Sequence, residues 1–162
     1  MEVNSIYQDT VTIFNYCESK TAAVWYPHVL SGTHLETDRG QILKKYGPDS
    51  KDTAELHIVY TEKDGQKIIA DAAGRALIWI PPKAWAKQAD DDLLDSITFN
   101  PATDFFWKGE WTGKTPINDG DYADRLSEGF YAYMNRENDF VFKISLVSGP
   151  YTVIPHFEIA GR

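Results

Sequence analysis

Apolar and polar positions alternate along much of this chain, and clusters of Gly, Pro, Asn and Asp break the alternation every several residues. Side chains two residues apart share one face of a strand, so the pattern predicts a succession of half-buried β-strands. Residues 10–16 predict a first strand and residues 22–30 a second, which Pro27 pushes toward an edge or a bulge because proline brings no backbone donor. Residues 56–60 and 67–70 predict a hairpin around the Asp64-Gly65 turn signal. Residues 75–80 are nearly all apolar, as expected of a central strand, and Pro81-Pro82 stops it. Further strands are predicted over residues 104–111, 129–134, 140–147 and 151–159. In the last, Val153, Pro155, Phe157 and Ile159 share one apolar face, which is expected to pack on the core.

Helix is predicted in one place. Residues 83–89, with their Ala, Lys and Gln, favour it, and Pro82 suits the first turn. Residues 93–99 either extend that helix or begin a strand. The polar stretches 38–52 and 112–124 read as exposed loops available for contacts. The expected architecture is mainly β, an antiparallel β-barrel or sandwich with one short helix near residues 83–95, in a single domain spanning residues 1–162.

Composition narrows the function. A chain of 162 residues, 43% hydrophobic and 14% aromatic, is long enough to bury a core without disulfides or metals. Its 24 acidic against 16 basic residues disfavour nonspecific nucleic-acid binding and anionic membrane surfaces, both of which need a basic face. The first residues lack a basic segment followed by an apolar one, and no run approaches the roughly 18 apolar residues of a membrane span, so a soluble chain not exported by these routes is expected. Cys17, the single cysteine, sits in an apolar run and reads as a small buried hydrophobe in a reducing compartment.

Candidate chemistry is sparse. His28, His34, His57 and His156 form no Cys/His cluster and no closely spaced pair, and they read as structural or surface histidines, although His34 and Glu36 share a strand face. The run 90–92, three aspartates beside the predicted helix, reads as a solvated face, and residues 118–121 lack the ligand register of a calcium loop and read as a turn. Gly113-Lys-Thr115 resembles the end of a phosphate-binding loop, but Lys108 stands where the earlier glycine belongs. Glu110 has no identifiable partner carboxylate for glycoside hydrolysis. Trp107, Trp111, Tyr131 and Tyr133 alternate within predicted strands, where cross-strand packing outweighs a sugar-stacking platform. No nucleophile, base and orienter come together, so no catalytic, cofactor-binding or metal residue is assigned and no enzyme is expected.

Several segments, taken in order, resemble the minor capsid or head–tail connector proteins of tailed phages and prophages of Gram-positive bacteria. Asp9-Thr-Val-Thr-Ile-Phe-Asn-Tyr16 is similar to that family's opening strand, and Val29-Leu-Ser-Gly-Thr-His34 to its glycine step, although His34 stands where the family has an aromatic. Ala70-Asp71, Leu77-Ile-Trp-Ile-Pro81, Asp104-Phe-Phe-Trp-Lys-Gly109 and the ending from Val147 through His156-Phe-Glu-Ile-Ala-Gly-Arg162 follow in the same order. The resemblance implies a β-barrel virion part without cofactor, made in the bacterial host cytoplasm. It would assemble as a ring with copies of itself and with portal, adaptor and tail proteins at the phage neck, with no membrane partner and no sequence-specific nucleic acid. A carbohydrate-binding or host-recognition module, suggested by the Trp and Tyr content, is the alternative.

Overall fold

In the computed structural model of the chain, which describes residues 7–19, 21–37, 53–113 and 115–162, the alternating segments close into a barrel. In chain order the strands are β1 (Asp9–Glu18), β2 (Ala23–Thr37), β3 (Ala54–Val59), β4 (Thr61–Lys63), β5 (Gln66–Ala70), β6 (Ala76–Trp79), β7 (Ser96–Ile97), β8 (Phe105–Trp107), β9 (Ile117–Asn118), β10 (Val141–Tyr151) and β11 (His156–Gly161). Six of them, in the order β1-β8-β10-β11-β3-β2 and back to β1, pair antiparallel all the way round. The expected mainly β barrel is therefore the architecture found.

Closure depends on two long, bent strands. The register of β2 against β1 shifts between Leu30 and Thr33, and from Thr33 onward β2 pairs with β3. In the same way β10 pairs with β8 over Val141–Lys143 and with β11 from Ile144 onward, again with register shifts. Extra residues in one strand of a pair bend it and raise its twist, which is how a sheet turns back on itself.

Alternation then sorts the side chains. Val11, Ile13, Leu30, Leu56, Ile58, Phe106, Phe142, Ile144, Phe157 and Ile159 point inward and are all but inaccessible to solvent. The small sheet β4-β5-β6-β7 adds Ile69, Leu77 and Ile97 to the same core. Beside it lie two short helices, α1 (Pro82–Trp85) and α2 (Asp90–Asp95), where one was expected. They pack Trp85 and Leu93 on Tyr26. Residues 93–99 prove to be both alternatives at once, the end of α2 and then β7.

Outside the barrel, Phe14, Trp25, Phe105 and Val141 form a second apolar face over one wall. A helix, α3 (Phe130–Glu137), covers it with Phe130 and Met134, assisted by Trp111, Tyr122, Tyr131 and Tyr133. Residues 129–134 were expected to be a strand because their aromatics favour sheet. The buried residues of this segment, however, recur four apart, the helical spacing, and the Phe130 amide at the start of α3 donates to Asp119 Oδ1 at 2.8 Å. Gly129 leaves room for that carboxylate, since a Cβ there would lie 2.6 Å from Asp119 Oδ2.

Other expectations need adjustment. Residues 56–60 do not pair with 67–70. Instead β4 and β5 make the hairpin, turning at Asp64 (φ 54°) and Gly65 (φ 78°), while β3 stays in the barrel. Both turn residues have the positive φ that a two-residue hairpin requires. Only Phe105–Trp107 of residues 104–111 is strand, and residues 112–124 hold β9 and a 3₁₀ turn rather than plain loop. Val153 and Pro155 lie in the exposed turn between β10 and β11, so the buried face of the last segment begins only at Phe157. The stretch 38–52 lies outside the described residues. Pro27 sits where β2 has no strand on its second side among the described residues, between the pairing with β9 at Val24-Trp25 and that with β3 from Thr33, in accord with an edge position.

Candidate functional site

One wall of the barrel is covered by α3; among the described residues nothing covers the outer face of the wall built from β3, β11 and the later parts of β2 and β10. Register decides what that face carries. His34 pairs with His57, and His57 with Glu158; Glu36 pairs with Glu55; His156 pairs with Val59 and Tyr151. Three strands thus bring three histidines and three glutamates onto one surface. Each histidine contacts the glutamate two residues away on its own strand: His34–Glu36 at 3.1 Å, His57–Glu55 at 3.0 Å and His156–Glu158 at 2.9 Å. The rings of His57 and His156 stack 6.0 Å apart, and Tyr151 stacks on His156 at 4.8 Å.

Charge on this face is mutually supported. Burial lowers the affinity of His156 for a proton, but the Ile154 carbonyl and the Glu158 carboxylate outweigh it and hold the imidazole above its ordinary pKa. The hydrogen bond to His156 in turn holds Glu158 below the usual carboxylate range. The signal for this cluster was present in the sequence as three His/Glu pairs at i, i+2. Local spacing points to His34 and Glu36 alone, because pairing between distant strands is not written in it.

Apolar side chains border the cluster. Val59, Leu146, Tyr151, Val153 and Ile154 are exposed, Val153 by 96% and Ile154 by 67%, and all lie on β3 or on the β10–β11 hairpin. Among the described residues Leu126 is the other large hydrophobic so exposed.

A cleft of about 340 Å³ opens at the free side of β2, lined by Pro27, His28, Val29, the 71–75 turn, Leu94 and residues 110–113. Its polar groups are largely committed to structure. Asp71 accepts from the Ala73 and Arg75 amides, and Arg75 donates to the Leu94 carbonyl and to Asp95. Glu110 is exposed at the rim of the same cleft.

The remaining nominated residues serve packing and turns. Cys17 is half-buried beside Tyr26 and Trp85, and burial pushes its thiol pKa up, as for an inert apolar cysteine. Asp90, Asp91 and Asp92 are exposed in the first turn of α2. Asn118 accepts from the Gly120 amide, and Asp119 accepts from the Trp25 indole and the Phe130 amide, so residues 118–121 are a turn that ties β9 to α3. Gly113 and Thr115 lie in irregular chain that no helix follows, and Lys114 is outside the described residues. Trp107, Trp111, Tyr131 and Tyr133 pack into the second cluster, the two tyrosines from a helix rather than a strand.

His28 is enclosed in the barrel with its Nε2 unpartnered. Burial, assisted by the charge of Arg75, lowers its pKa to about 3. The native state therefore holds it neutral while the unfolded chain takes a proton near pH 6.5, so its stabilising contribution is complete above about pH 6.5 and declines as pH falls. Between pH 7 and pH 5 that decline amounts to about 2 kcal/mol. Urea unfolding at the two pH values should show the wild type losing about that much more than His28→Leu. Asp104, which burial pushes up to about 6, acts in the opposite direction in both proteins and cancels in the comparison.

A family model described as a family of unknown function (DUF6751) matches residues 6–162. No curated protein and no solved structure matches the chain.

Proposed function

We propose, for a chain that belongs to the family of unknown function DUF6751, a structural role in a tailed-phage virion: a head–tail connector that acts by self-assembly and protein contacts, without catalysis or cofactor. The observation that carries this reading is the barrel wall left open by the described residues, where Val59, Leu146, Tyr151, Val153 and Ile154 gather on one strand and one hairpin. Exposed apolar side chains collected in one place mark an interaction surface. A second copy of the chain is the occupant, joined in a ring that meets portal, adaptor and tail proteins. The ordered motifs from Asp9 to Arg162 and the closed barrel support the same reading. The protein would be made in the bacterial cytoplasm and carried in the particle.

Deleting the gene from the phage that encodes it should yield filled heads and free tails that do not join, and mass spectrometry should find the chain in purified wild-type particles. Complementation with Val153→Asp/Ile154→Asp should fail, although the melting temperature of that variant stays within about 2 °C of wild type, because exposed substitutions away from special features are nearly neutral to stability. Intact infectious particles made without the chain would overturn the proposal.

A carbohydrate-binding reading draws support from Trp111, which borders the 340 Å³ cleft together with Asp71, Arg75 and Glu110. Glycan-array binding that disappears in a folded Trp111→Ala variant would favour it over the connector.

A further inference from the structure

The uncovered wall also carries a set of potential metal ligands that the assembly reading does not use. We propose that His57, His156 and Glu158 form a binding site for a first-row divalent cation of the zinc type, with one ligand from β3 and two from β11.

Geometry comes first. One ligand atom from each of the three side chains lies within 4.8 Å of the other two. A tetrahedral zinc with bonds of about 2.0–2.1 Å holds its ligand atoms about 3.3 Å apart, so closure asks for movements on the order of 1 Å. All three side chains are half-buried, and the His156–Glu158 separation of 2.9 Å is already close to that spacing.

The second argument is the tautomer of His156. Its Nδ1 lies 2.6 Å from the Ile154 carbonyl oxygen, which can only accept, so the ring hydrogen sits on Nδ1. Nε2 then turns a lone pair toward Glu158 Oε2, 2.9 Å away. Nε2 and Oε2 at this separation, together with a ring nitrogen of His57 within 4.8 Å of both, are spaced as the ligand atoms of one ion. An Nδ1–H held by a backbone carbonyl is the outer-shell arrangement that orients ligating histidines.

The donor set chooses the class of ion. Two imidazoles and a carboxylate suit zinc and its first-row neighbours, while calcium and magnesium ask for oxygen ligands throughout. Glu36 and Glu55, grouped with His57 on the same face, add negative potential that draws a cation in. Three protein ligands leave one position open, as in sites that hold a water or take an incoming ligand.

Cobalt(II) added to the full-length chain should bind one per chain with the visible absorption of a low-coordinate site, and Zn²⁺ should displace it. His57→Gln and His156→Gln should each weaken binding by more than about 100-fold, beyond the roughly 10–100-fold that loss of an outer partner costs. His34→Gln, outside the set, should weaken it less than about threefold. X-ray absorption of the zinc-loaded wild type should show two imidazoles, a readout independent of whether the variants fold. Absence of stoichiometric binding, unchanged affinity in folded His57→Gln and His156→Gln, or fewer than two imidazoles on the metal would overturn the proposal. Because binding is read on the isolated chain, its outcome is separate from that of the virion-assembly experiment.

Discussion

A chain that ends at Pro155 will not fold. Removing residues 156–162 takes away β11, which pairs with β10 on one side and β3 on the other. The barrel loses a stave and gains two unpaired edges, each a template for aggregation. Phe157 and Ile159, both fully enclosed, are lost with it. Burying each of those side chains contributes about 1.5–3 kcal/mol, a large share of a domain stability of about 5–15 kcal/mol. Expression should give insoluble material, or a soluble fraction without a cooperative thermal transition in circular dichroism. A soluble truncated protein melting at the wild-type temperature would show β11 to be dispensable.

Asp104→Asn should cost about 2–4 kcal/mol despite being nearly isosteric. Asp104 is 1% exposed, and its carboxylate accepts four hydrogen bonds: from the Tyr16 amide and Thr103 hydroxyl on Oδ1, and from the Asn15 side-chain amide and the Asn100 amide on Oδ2. All four partners are donating. An Asn side chain can present one oxygen to them, and its NH₂ must then face at least one backbone N–H on the other side, Tyr16 or Asn100. Leaving a buried donor unmet costs about 1–3 kcal/mol, and more where the lost acceptor was charged. The network joins β1 to the chain entering β8 and, through Asn15, to the Thr98 backbone beyond β7, so the barrel and the small sheet loosen together. Urea denaturation of wild type and variant at pH 7.5 measures the difference, and a change below about 1 kcal/mol would mean that the carboxylate is not needed as a fourfold acceptor.

The elements read most easily from sequence were those with one side in the core. β3 alternates cleanly, with Ala54, Leu56 and Ile58 buried, and the Asp64-Gly65 turn has the backbone its residues require. The helix α3 was misread because Phe130, Tyr131 and Tyr133 favour strands in isolation; tertiary packing against Phe14 and Trp25 decided otherwise. The His/Glu wall was hidden for a different reason. Each pair is local, but the assembly of three pairs depends on β3 lying between β2 and β11, a topology that joins residues 34, 57 and 156. Parity places Val153 and Pro155 on the core face, yet both are exposed, because parity holds only while the chain remains a strand.

The barrel interior, filled by Phe106, Phe142, Phe157 and their aliphatic neighbours, has no bore. If copies of this chain surround a passing DNA, the passage runs between protomers and not through any one of them. Its width is then set by how many copies close the circle, and its lining by outer faces in a chain of net charge -8. Substitutions inside the barrel would alter the melting temperature and leave the diameter of such a channel untouched, whereas a change at the seam between copies could alter the gauge of the passage without disturbing the fold of any subunit.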